Sequence, residues 1–316
     1  MKRSLFLLVL LCSLFIKDQA IAKHKYQVAA CLMFYNEAYY LQEWIEYHHL
    51  IGIEHFYLFN NGSTDNYLEI LKPYIRKGLV ELFDRPERGE NQARHNQIQC
   101  SIYKEAVDMT RDRVRWLAII DADEFIYPVK KKPLREILKH YENFGGVYLN
   151  YLFFGTSHVQ KLPPGKLIIE SLTHCAAQPM AFGKSIVKPN RVSNDIRDPH
   201  RFWYNPPFFH VNTSYESFDW APGRVTDDTL LLFHYYTGDI DHAMNVTFPR
   251  RRRWIGIKAE DYLENLEWMN IRENLSMQYY IPELKRRISK ATVRKNRKQE
   301  RMANKFLSHG DDQRGD

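Results

Sequence analysis

Between residues 28 and 120 the chain switches repeatedly between short unbroken apolar runs and longer segments of helical spacing. Val28–Phe34 reads as a strand, and Glu37–Leu50 places Leu41, Trp44, Ile45 and His48 on one helical face before Gly52 can end it. His55–Phe59 is a second strand, which runs into the turn cluster NNGSTD at residues 60–65. Asp65 or Asn66 is placed to cap a helix reaching Ile75, which Pro73 is expected to interrupt. Leu79–Phe83 is a third strand, Asn91–Asp108 a further helix, and Trp116–Ile120 a fourth strand. Strands alternating with helices of this length predict an α/β fold with right-handed crossovers, its parallel sheet covered by helices on both faces.

In such sheets ligands bind beyond the carboxyl ends of the strands. The polar clusters of this chain fall at those ends: Asn36-Glu37 after the first strand, Asn60 to Asp65 after the second, Asp84 to Glu90 after the third. The fourth is WLAIIDADEFIYP, residues 116–128, where a buried run ends in three carboxylates within four residues. Two aspartates at i and i+2 past a strand end can both turn toward a hard cation, and their oxygens suit magnesium or manganese. A metal with open positions can bridge a diphosphate and stabilise it as a leaving group, which points to a nucleotide-activated donor. A dehalogenase-type phosphatase also carries DxD after a buried strand. That pattern wants Thr or Val two residues past the second aspartate, where Glu124-Phe125 follow here, and its core opens with the motif instead of reaching it after three strands.

Composition adds limits. With 316 residues, 44% hydrophobic and 14% aromatic, the chain can build a real core in one large domain or two small ones. Residues 1–22 read as a signal peptide or short anchor, with Lys2 and Arg3, an apolar run from Leu5 to Ile16 and then Ala20-Ile21-Ala22. The run is shorter than the roughly 20 residues that span a bilayer, which favours a cleaved secretory signal over a retained anchor. Cys31, Cys100 and Cys175 lack zinc-ligand spacing and read as small buried residues, with a disulfide between two of them left open. Sequons stand at Asn61, Asn212, Asn245 and Asn274. The net charge of +7 is concentrated in a tail: Lys285 to Lys305 carries ten Lys or Arg against Glu300 alone, which leaves the remainder near −2. Residues 281–316 are therefore expected to form a basic, solvated helical tail able to lie on an anionic membrane surface. No nucleic-acid motif accompanies the charge.

Several stretches, in order, resemble glycosyltransferase family 92, a group within the GT-A glycosyltransferases: NEAYYLQEWIEYHHLIGIEHFYLFNNGSTDN, LKPYIRKGLVEL, WLAIIDADEFIYP, YLFFGTS, GKSIVKPNRV and LLFHYY, from Asn36 to Tyr236. The resemblance implies a Rossmann-like GT-A domain over residues 23–280, with a nucleotide-sugar half near 26–128 and an acceptor half near 129–256. It also implies transfer of a hexose from a nucleotide diphosphate sugar, such as UDP-galactose, to a glycan or other hydroxyl, with inversion. Carried over by position, Asn36, Glu37, Asn60, Asp65 and Arg88 line the donor pocket, and Asp121 holds the ribose and metal region. Asp123 binds the cation directly, His234 completes the site, and Glu124 supports it. Imidazole beside carboxylate favours manganese over calcium. Trp44 and Tyr47 are read as core packing.

Inversion needs a general base from the second half. Asp227 and Asp228, just before the strand that ends at His234, lead the candidates, with Asp195 and Asp198 as alternatives in a loop dense with aromatics; Asp219 is also eligible. After FHYY the family's usual Lys-Ser and glutamate pair is replaced by TGDIDHAMNVTFPRRRRW, whose arginines Arg250 to Arg253 are placed to neutralise phosphates. That departure keeps open a non-catalytic binding protein of the same fold.

Overall fold

The computed structural model describes residues 24–218, 224–256 and 258–290. The N-terminal leader, Asp219 and most of the basic tail lie outside them. Among the described residues no helix is long and apolar enough to cross a membrane.

The first half follows the predicted alternation: β1 (Tyr26–Phe34), α1 (Ala38–Leu50), β2 (His55–Asn60), α2 (Tyr67–Arg76), β3 (Val80–Asp84), α3 (Gln92–Thr110), β4 (Val114–Ile119) and β5 (Glu124–Pro128). There follow α4 (Leu134–Leu138), β6 (Gly146–Phe153), α5 (Ile168–Ser171), β7 (His174–Cys175), β8 (Met180–Val187), β9 (His210–Val211), β10 (Leu230–His234), α6 (Ile240–His242), α7 (Phe248–Ile255) and β11 (Arg272–Glu273). One departure is local. Pro73 does not stop α2, which continues to Arg76 because Leu71 and Tyr74 on either side of it are buried and the Tyr74 hydroxyl donates to Glu46 at 2.9 Å. Packing here outweighs the roughly 3 kcal/mol disfavour of an internal proline.

The main sheet runs in the order β3-β2-β1-β4-β8-β6-β10-β5. The β1 to β4 block is parallel, as is β6 with β10, while β8 and β5 are antiparallel to their neighbours. The periodicity predicts the parallel block and contains nothing of the antiparallel additions. β1 is buried on both faces: Val28, Ala30, Leu32 and Phe34 pack with Leu41, Trp44 and Ile45 of α1, and Ala29, Cys31 and Met33 with Ile98, Ile102 and Tyr103 of α3. Cys31, Cys100 and Cys175 are free thiols.

β5 follows β4 after only residues 120–123, yet lies four strands away in the sheet. Both facts hold because the sheet curls until its two regions face each other, and α1 seals the gap. The Trp44 indole donates to the Glu124 carbonyl at 2.9 Å and the Tyr47 hydroxyl to the Ile126 carbonyl at 2.7 Å. His48 donates through Nδ1 to the Trp44 carbonyl and accepts the Ile126 N–H at Nε2, at 3.2 Å. Burial pushes the His48 pKa down to about 3, so the ring stays neutral and serves both bonds. Three helix side chains thus satisfy edge-strand groups that would otherwise remain unpaired.

Candidate active site

The closure places the end of β4 and the start of β5 beside the ends of β6 and β10. A cleft of about 590 Å3 opens there, a size that suits a small ligand, and it is lined in part by Tyr35, Glu37, Arg88, Asp121, Asp123 and His234.

The three carboxylates take three different positions. Asp123 lies 3.2 Å from His234 Nε2, and its carbonyl accepts the Tyr235 N–H at 2.8 Å. Burial opposes its ionisation, but the His234 ring and Arg251 outweigh that and hold its pKa at about 2. Glu124 is fully buried; it accepts the Asp121 N–H at 2.8 Å and the Tyr151 hydroxyl at 2.5 Å. Burial and the neighbouring Asp121 charge push it up to about 7. Asp121 is engaged by Lys184, whose ammonium is 1% exposed and 2.9 Å away, while Gln99 and Tyr103 donate to its other oxygen at 3.3 and 3.2 Å. Its pKa is lowered because the Lys184 charge overcomes the burial that opposes it.

Asp123, Glu124 and His234 bring ligand atoms within 4.8 Å of one another. Among the described residues this distance is met by Glu124 and not by Asp121, which was expected with Asp123 and His234; the oxygens of both carboxylates are engaged, Asp121 by Lys184, Gln99 and Tyr103, and of the two only Asp121 lines the cleft. Two carboxylates and an imidazole are a donor set that a divalent cation accepts. Asp123 and His234 face the cleft; Glu124 lies behind them, both its oxygens in use.

The other expected residues divide. Glu37 lines the cleft and is paired with Arg250; burial raises its pKa to about 7 against that partner. Arg88 lies over the Tyr35 ring at 3.5 Å. Asn36, Asn60 and Asp65 do not line the cleft. Asn36 adopts a left-handed φ of 54°, which Asn tolerates, and its side-chain oxygen accepts the Thr64 and Asp65 N–H groups at 2.7 and 3.3 Å. Asp65 accepts the Ala38 N–H at 2.8 Å, capping α1 from another loop, and with its other oxygen the Tyr67 N–H at 3.3 Å at the start of α2, the helix that spacing suggests. Asn60 donates to Tyr67 and Asp84 at 3.0 and 2.9 Å. Asn61 lines the cleft in their place, and its amide is taken by the Arg85 and Glu87 carbonyls at 2.6 and 2.5 Å, which leaves that sequon buried.

None of the described base candidates, Asp195, Asp198, Asp227 and Asp228, lines the cleft. Asp227 and Asp228 precede Leu230, which pairs with Pro128 at the end of β10 opposite His234, and both are exposed. Asp195 is exposed and paired with Arg197. Asp198 accepts the His200 backbone N–H at 2.7 Å and so orders the turn that brings the His200 ring to the cleft. Lys184, Gln99, Tyr103 and His200 are the groups that reading the motifs missed. Gln99 and Tyr103 stand four apart on α3, a spacing that puts them on one face, whereas a lysine inside the apolar GKSIV run gives no sign of its partner.

A family model described as glycosyltransferase family 92 matches residues 24–218. Among curated relatives, a family 92 protein of Ricinus communis is 24% identical over 228 residues, covering 67% of this chain and 35% of the relative. One of Oryza sativa subsp. japonica is 27% identical over 197 residues, covering 59% and 31%. A protein of Arabidopsis thaliana named galactan beta-1,4-galactosyltransferase is 31% identical over 108 residues, covering 33% and 20%. This chain spans about a third of the length of the first two relatives. Among solved structures, S. aureus TarS 1-349 aligns at a TM-score of 0.37 with 12% identity, covering 74% of this chain and 76% of that one.

Proposed function

This chain belongs to glycosyltransferase family 92 and has a GT-A-type fold, and on that premise we propose that it transfers a hexose from a nucleoside diphosphate sugar to a hydroxyl of a glycan. The observation that carries the reading is the meeting of Asp123, in the turn before β5, with His234, at the end of the neighbouring β10, in a cleft that also presents Arg88, Arg250 and Arg251. UDP-galactose is the donor we favour, since one relative is named as a galactosyltransferase. Tyr35 and Arg88, stacked together, offer a flat surface for the base, and Arg250 and Arg251 offer fixed positive charge for the diphosphate.

Asp123 and His234, with Glu124 behind them, would hold a divalent cation, for which manganese suits the mixed oxygen and nitrogen set. Bound there, it would supply the charge that stabilises a departing diphosphate. In an inverting transfer the acceptor oxygen bonds to the anomeric carbon as the bond from that carbon to the diphosphate oxygen breaks, and the hydroxyl proton passes to a base. We assign that proton to His200 in place of Asp195, Asp198, Asp227 or Asp228. Burial and the Lys184 charge push its pKa down to about 4, so the ring is neutral. Its Nδ1–H donates to the Gly183 carbonyl at 3.0 Å, which leaves the Nε2 lone pair as acceptor.

The direct test is a panel of UDP- and GDP-hexoses assayed for donor hydrolysis with and without manganese. At least one donor should be hydrolysed, and Asp123→Ala should slow that reaction by roughly 10²- to 10³-fold, the scale of losing one electrostatic stabiliser. If no donor is bound or hydrolysed, and Asp123→Ala changes nothing, the transferase reading fails. A thermal shift with UDP but no turnover with any acceptor supports a binding protein of the same fold.

A further inference from the structure

A file of aromatic rings leaves the candidate metal group and ends in solvent. His234 packs against Phe153 with ring centroids 4.8 Å apart, and Phe153 packs edge-on against Trp268 at 5.4 Å. Tyr236 joins from the side, 5.9 Å from Phe153 and 5.4 Å from His234. Phe153 and Tyr236 line the cleft. Trp268 lies just beyond the walls of the cleft, in a short 3-10 helix, Glu264–Met269, whose Leu266 and Met269 turn inward while Trp268 remains 41% exposed. Trp268 therefore joins the outer end of the cluster to solvent, one edge packed on Phe153 and the rest of the ring partly open to water.

We propose that Phe153, Tyr236 and Trp268 form an extended acceptor subsite for an oligosaccharide, at least two sugar rings long, with its reactive hydroxyl at the His234 end. The inner end of this subsite rests on the transferase reading; the outer end stands on the rings alone. Pyranose rings present faces of C–H groups that are apolar and weakly positive, and they complement the negative face of an aromatic ring. His234, Phe153 and Tyr236 form a compact cluster from which Trp268 leads outward, with steps comparable to the width of one sugar ring. The Arg251 guanidinium covers one face of Tyr236 at 3.6 Å and can donate to a sugar hydroxyl beside that ring, and Glu267, half exposed, precedes Trp268. A chain acceptor gains a stacking contact with each ring it reaches, whereas a monosaccharide at the inner end meets only Phe153 and Tyr236.

The subsite is tested by binding, independently of turnover. Galacto-, gluco- and manno-oligosaccharides of one to six units are titrated against the full chain, with tryptophan fluorescence and calorimetry as readouts. For at least one series the dissociation constant should fall by tenfold or more between one and three units. Trp268→Ala should remove most of that gain while leaving monosaccharide affinity and UDP binding within twofold, and Trp268→Phe should restore part of it. If no series binds more tightly as it lengthens, or if Trp268→Ala retains the full gain, the proposal is overturned. The two readings fail separately: a length-dependent gain lost in Trp268→Ala, with no binding or hydrolysis of any nucleotide sugar, upholds the glycan subsite and removes the transferase.

Discussion

At the ends of β1 and β2, the polar side chains of Asn36, Asn60 and Asp65 are tied to backbone and side-chain groups of the adjoining loops. At the ends of β4 and β10, Asp123 and His234 face an open cleft and are supported from behind by Glu124 and Tyr151. Both sectors crown the same sheet with the same kinds of residue, yet one is frame and the other is equipment. The difference lies in what stands opposite. The first sector closes on a neighbouring loop that supplies every missing partner. The second closes on a strand brought from the far side of the sheet, and between the two a cavity remains.

The sharpest way to break this contrast is at Lys184, the buried cation behind the second sector. Lys184→Met leaves Asp121 and the fully buried Glu124 without their counter-charge, and loss of one partner of a buried pair costs on the order of 3–5 kcal/mol. Urea denaturation should report that loss, and a change under 1 kcal/mol would mean water already screens the pair. Next comes His200→Ala, which should lower kcat for transfer by roughly 10²-fold or more, while UDP binding and the unfolding midpoint stay close to wild type. An unchanged pH–rate profile in that variant would return the proton to another group.

Glu37 offers a pH test. Burial holds its carboxyl at about 7, with Arg250 opposing, against 4.5 in the unfolded chain. The native state therefore binds this proton more tightly, so the associated stability is complete below pH 4.5 and disappears as pH rises through about 7. Glu37→Gln should flatten that part of the stability curve measured by denaturant at successive pH values. The smallest effect belongs to the frame: Asp65→Ala removes the cap on α1 and should cost about 1 kcal/mol, with donor hydrolysis nearly unchanged. A large loss of donor affinity instead would move Asp65 into the equipment sector.

Much of the first half was legible because its information is local. The runs from Val28 to Phe34 and from Trp116 to Ile120 are long and apolar enough to name their strands, and the turn at Gly62 and the cap at Asn91 mark boundaries. The position of DxD at a strand end follows from the same pattern. The pairing of Asp121 with Lys184, Gln99 and Tyr103 was not legible, since no period links a lysine on β8 to an aspartate after β4. The placement of Asp227 and Asp228 failed for a related reason. Nearness to His234 in sequence is not nearness in space when an extended strand separates them, since each residue adds about 3.3 Å.

The four-residue step between β4 and β5 also sets an order of assembly. Asp121, Asp123 and Glu124 leave the ribosome before Lys184 and well before His234, so during synthesis the carboxylates have neither the cation nor the imidazole that later stands against them. β5 cannot take its place until β10, its hydrogen-bonding neighbour, has been made. The amino-terminal strands can begin to pair as they emerge, but the cleft needs residues as late as Arg251, and a chain truncated before residue 230 would carry the whole DxD motif without His234, Arg250 or Arg251 beside it.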